Sequence, residues 1–68
     1  MRELLKDDQR LYSLLEAEDG QLVLRVVCGG IGWYERDLVL SEEQLAYYRD
    51  LGKYFLDSLA LKVAKGWV

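Results

Sequence analysis

Apolar and polar residues follow two different periods along this chain. From Ser41 to Gly66 the apolar residues recur every three to four positions, which predicts one long C-terminal α-helix over about 42–65. The run opens with Ser41-Glu42-Glu43-Gln44, a capping box. The serine oxygen can accept from the N–H three residues on, and the glutamine side chain can reach back to the Ser41 N–H. Glu42 and Glu43 place negative charge at the positive end of the helix dipole, and Lys62 and Lys65 place positive charge at the other end. Gly66 offers the left-handed residue that commonly ends a helix.

At 100° per residue this helix carries two apolar stripes. Leu45, Tyr48, Gly52, Phe55, Leu56, Leu59 and Val63 form the stripe expected to pack on the rest of the domain. Tyr47, Leu51, Tyr54 and Leu61, with Ser58 in the same row, form a second one spaced like a coiled-coil seam. A helix covering a single sheet needs one stripe. The second predicts another surface, either a second copy of the chain or a different protein. Gly52, lying on the inner stripe, is expected to let the helix backbone approach a sheet closely.

Upstream the period shortens to two. Asp19-Gly20 stands between apolar runs and predicts a β-hairpin with a two-residue loop, placing Leu15 opposite Leu24 and Leu11 opposite Cys28. In that register Leu11, Ser13, Leu15 and Ala17 share the core face with Leu22, Leu24, Val26 and Cys28. Strands are expected over about 10–17 and 21–28. After the glycine-rich turn at 29–32, a third strand over about 33–40 places Leu24 opposite Leu38 and Arg25 opposite Asp37. Arg36 then falls on the core side, which implies either an edge position or a bulge that shifts the phase. The outer face would show Tyr12, Leu14, Val23, Val27, Trp33 and Val39. Residues 1–9 are ambiguous between a short helical turn and part of an amphipathic helix over 2–16.

Length and composition sharpen this picture. Sixty-eight residues make one small domain, which buries only about 60% of its unfolded surface. One cysteine and no histidine leave neither an intrachain disulfide nor the usual structural zinc sites. With 51% hydrophobic residues, association is the stabiliser that remains. A helix of about 36 Å would also overhang strands of about 27 Å. The net charge of −3 argues against nucleic acid as a partner. No apolar run has the length of a membrane span and no secretory leader is evident, so a reducing, cytoplasmic setting is expected.

Candidate chemistry is sparse. Cys28 falls on the core face without a histidine to activate it, and reads as a buried, inert thiol. Gly29-Gly30-Ile31-Gly32 leads into a strand rather than a helix, so it reads as a turn and not a phosphate cradle. Glu16-Ala17-Glu18-Asp19-Gly20 only partly matches a calcium loop. No cofactor, metal or catalytic residue is expected.

The sequence therefore predicts an α+β fold, a three-stranded antiparallel meander packed on one long helix, as a homodimer. Its function class is a small acidic, non-enzymatic protein–protein interaction module. Candidate interface residues are Tyr47, Leu51, Tyr54, Ser58, Leu61, Tyr12, Trp33 and Trp67, because aromatic side chains anchor such interfaces. The acidic balance suits a basic partner, and in size and charge the chain is similar to immunity proteins and phage-encoded inhibitors, with no motif behind the likeness. The alternatives are a purely structural homodimer or assembly subunit, and a small-ligand binder lined by Tyr34, Tyr48 and Phe55.

Overall fold

A computed structural model of the chain describes residues 1–29 and 32–66. Four antiparallel strands, β1 (Arg2–Asp7), β2 (Tyr12–Glu16), β3 (Leu22–Cys28) and β4 (Tyr34–Val39), form one sheet in the order β1-β2-β3-β4. Two helices follow, α1 (Glu42–Leu51) and α2 (Lys53–Ala64). The architecture is α+β as expected, with four strands rather than three and two helices rather than one.

The added strand is the N-terminal segment. Its pairing with β2 skips Leu4, a bulge that sets Leu5 opposite Leu14 on the inner face and leaves Leu4 exposed without a partner in the register. Helical spacing in 2–16 is overridden because Asp7 closes a turn. Its Oδ1 accepts from the N–H groups of Gln9 and Arg10, both at 2.9 Å.

The β2–β3 hairpin corrects the expected register. Ala17 N–H donates to Gln21 O at 2.8 Å and Gly20 N–H to Ala17 O at 2.9 Å, enclosing a three-residue loop with Gly20 at φ 87°. This is the longer hairpin loop with glycine in the left-handed position. One extra loop residue moves the register by one, so Leu14 faces Leu24 and Leu15 faces Val23. Every β2 side chain consequently changes face. Tyr12 and Leu14 lie in the core, not on the outer face, and Ser13 and Leu15 take the opposite face, where Leu15 is still buried beside Val23. The β3–β4 register is the expected one, with Arg25 and Asp37 paired through two hydrogen bonds of 2.9 and 3.0 Å. Arg36 needs no bulge. Its Nη1 donates to the Val63 carbonyl at 3.2 Å, at the end of α2.

The capping box at Ser41 forms as predicted, with Gln44 N–H to Ser41 Oγ at 3.2 Å and Ser41 N–H to Gln44 Oε1 at 2.9 Å. The single helix does not. It breaks at Gly52, whose φ of 63° and ψ of −141° belong to backbone that residues with a Cβ avoid. The close-approach role expected of Gly52 is also corrected, because a Cβ built there meets nothing within 4 Å. The Tyr47 and Phe55 rings stack at 5.6 Å, although eight residues of straight helix would separate them by about 12 Å. The helices are therefore folded toward one another.

The core lies between the inner sheet face and α2. Tyr12, Leu14, Leu24, Val26, Cys28 and Leu40 meet Leu56, Leu59, Ala60 and Val63. α1 contributes only partly buried groups, Leu45 and Tyr48. Polar bonds at both ends of α2 fix its path. Lys53 and Asp57 touch the β1–β2 corner, and Val63 touches Arg36 on β4, so α2 crosses the sheet from one side to the other.

Candidate functional site

The most elaborate polar arrangement sits where the β1–β2 turn meets the start of α2. The Lys53 ammonium is shared by Asp7 Oδ2 at 2.7 Å and Asp57 Oδ1 at 3.0 Å. The buried Tyr12 hydroxyl donates to Asp57 Oδ1 at 2.5 Å, and Lys53 Nζ lies 5.7 Å from the Tyr12 ring centre. Arg10 closes the group with Nη1 at 3.4 Å from Asp7 and Nε at 3.8 Å from Asp57.

These neighbours shift Asp7, Asp57, Tyr12 and Lys53 further from neutrality. The Lys53 hydrogen bond and the Arg10 N–H hold Asp7 down at about 2. The Tyr12 hydrogen bond, with help from Lys53, keeps Asp57 below its ordinary value. Burial, and then the bond to Asp57, pushes the Tyr12 phenol up to about 12. Asp7 and Asp57 together raise Lys53, which stays charged. A cluster of two carboxylates, one ammonium and a neutral phenol is an electrostatic brace between sheet and helix. Near pH 7 the two carboxylates stay ionised, and the phenol and the ammonium keep their protons.

Beside the brace, the outer flank of α2 carries the exposed apolar groups. Tyr54 is 76% exposed and Leu61 56%, with Ser58 between them. Tyr54, Ser58 and Leu61 line an open hollow with Arg10 and Asp57. An adjoining hollow of about 200 Å³ joins Arg10, Asp57 and Leu61 to Ala60 and Ala64. The flank thus combines a tyrosine, an aliphatic side chain and a charged pair on a braced helix.

The other candidate residues go elsewhere. The bend at Gly52 turns Tyr47 onto Phe55, into a hollow lined also by Glu43, Leu59 and Lys62. Leu51 is exposed at the end of α1. The stripe from Tyr47 to Leu61 is therefore not a continuous seam. Trp33 is 73% exposed and its ring lies over Gly29. Tyr12, only 2% exposed, is part of the brace and not of a surface. Trp67 lies outside the described residues. Of the trio suggested for a ligand pocket, Tyr34 pairs with Cys28 at the far end of β4 from α1, whereas Phe55 faces that helix. Cys28 is buried.

Among the described residues no three or more Asp, Glu or Cys side chains are grouped so as to hold a metal ion, and no helix is long and apolar enough to cross a membrane. Sequence reasoning missed the brace. Its one local signal was Asp7 at the head of a turn, and its long-range partners are set only by where α2 lands. Comparison of the chain with protein-family models, with curated proteins and with solved structures finds no match.

Proposed function

We propose that this chain is a non-enzymatic protein–protein interaction module that self-associates through the outer flank of α2. The observation that carries this reading is the exposure of Tyr54 and Leu61 on a helix anchored by the Tyr12–Asp57–Lys53–Asp7 brace. Tyrosine and arginine are favoured interface anchors, and a rigid flank loses little freedom on binding. Association also adds apolar burial to a domain too small to bury much alone.

Light scattering behind size exclusion, over a range of concentrations, tests the proposal on wild type and on a Tyr54→Glu, Leu61→Glu variant. A concentration-dependent wild-type dimer and a folded monomeric variant are expected. Folded monomers in both cases would rule self-association through this flank out.

A second reading is an acidic inhibitor of a basic protein. Glu18 and Asp19 at the β2–β3 loop and Glu42 and Glu43 at the start of α1 are exposed, and Leu40 N–H bonded to Leu22 O at 2.9 Å ties those two segments together at one end of the sheet. Salt-sensitive binding to a basic protein, weakened by Glu42→Gln and Glu43→Gln, is the outcome that distinguishes it.

A further inference from the structure

We infer that Gly52 is a hinge at which α1 and α2 straighten into one continuous helix, and that the straightened chain docks α2 on the sheet of a second copy, forming a domain-swapped dimer. This goes beyond association through the α2 flank and does not depend on it.

The local code on both sides of Gly52 is that of a single helix. From Glu42 to Lys62 there is no proline and no β-branched residue, and the stripe Leu45, Tyr48, Gly52, Phe55, Leu56, Leu59, Val63 keeps helical spacing across the break. The bend depends on one residue's backbone, at φ 63°. No side-chain cap holds the first turn of α2 in the bent form. No neighbour within 4 Å of a Cβ at Gly52 demands a glycine there. The competing straight form gains the hydrogen bonds that the break interrupts.

Straightening decides the partner. α1 is held to its own sheet by Leu40 N–H on Leu22 O, one residue before its cap, and by Leu45 and Tyr48 packed against the core. The twelve residues of α2 would then extend about 18 Å beyond Leu51, leaving Tyr12, Leu24 and Val26 uncovered. A second copy supplies the missing cover with no new complementarity, since Leu56, Leu59, Ala60 and Val63 already fit that surface. Tyr12–Asp57, Asp7–Lys53 and Arg36–Val63 re-form between chains. The Tyr47–Phe55 stack comes apart, because a straight helix holds the two rings too far from each other. Exchange of an identical element at a short hinge is a low-cost route to a dimer.

Gly52→Ala tests the inference, because alanine has room at that position yet disfavours its backbone angles. The variant is expected to be a dimer that persists on dilution and survives the added changes Tyr54→Glu and Leu61→Glu. Nitroxide labels at Glu43→Cys and Lys62→Cys, diluted with unlabelled chain, read the shape directly. The two sites line one hollow in the bent chain and stand about 28 Å apart along a straight helix. A monomeric Gly52→Ala variant, a dimer dispersed by the flank changes, or labels that stay close would each overturn the swap. Should the variant not fold, wild type refolded at high concentration gives the same reading. A dilution-resistant dimer with the long label distance supports the inference, and monomer alone overturns it.

Discussion

The Tyr12 hydroxyl donates to Asp57 Oδ1 at 2.5 Å, across a sequence separation of 45 residues. Tyr12 is the first residue of β2, and Asp57 lies one turn inside α2. That single bond joins the start of the chain to its last helix, and Lys53 and Asp7 flank it with a salt-bridged lysine.

Removing the hydroxyl measures the brace. Tyr12→Phe keeps the ring in the core and should cost about 1.5–3 kcal/mol in urea unfolding, as expected for a hydrogen bond to a charged acceptor. It should also change the alkaline limb. In the folded chain Tyr12 keeps its proton up to about pH 12, against about 10 when unfolded, so its contribution is complete below pH 10 and is lost between 10 and 12. Lys53, raised as well, acts in the same direction. Stability of Tyr12→Phe should fall less steeply in that interval.

Acid should loosen the same corner. Asp7 titrates at about 2 in the folded chain and near 3.9 when unfolded, so the unfolded state binds the proton first. The stabilisation is complete above pH 4 and disappears as pH falls toward 2. Asp57 and Asp37, also lowered, add to this slope through Tyr12 and Arg25 respectively. Asp7→Asn should flatten the melting temperature against pH between 4 and 2, and lower it at neutrality.

The shifted hairpin register makes opposite predictions for neighbouring residues. Leu14 is fully buried against Leu24, and Leu14→Ala should cost about 2–5 kcal/mol, a large part of the stability of a domain this size. Leu14→Asp should prevent folding, whereas Leu11→Asp should leave a folded chain by circular dichroism. The register read from a two-residue loop requires the reverse.

Leu11 holds a left-handed backbone at φ 59° although it is not glycine. That conformation costs a leucine about 1–2 kcal/mol, and asparagine tolerates it better. Leu11→Asn should therefore raise the denaturation midpoint, by up to about 1 kcal/mol in stability, because relief of the backbone outweighs the packing of a side chain that is already exposed. At Gly20, φ 87° with open space around it, Gly20→Ala should cost about 1 kcal/mol from backbone strain alone.

Where local chemistry decides the structure, the residues announce it. Ser41 and Gln44 cap a helix, Gly66 ends one at φ 76°, and Arg25 meets Asp37 across a hairpin. Each depends on neighbours along the chain or directly across one turn, where propensity and spacing carry the energy. The tertiary structure decided what these signals leave balanced. Asp19-Gly20 suits two loop lengths, and the one that buries Tyr12 and Leu14 under α2 wins. Residues 1–9 carry too few apolar groups to fix their own form, and β2 recruits them as a strand. Gly52 reads as a tolerated residue in a helix until α2 must cross the sheet from Asp7 to Arg36, which a straight continuation of α1 cannot do. The Tyr12–Asp57–Lys53–Asp7 brace exists only after that crossing, because it joins residues that no local rule brings together.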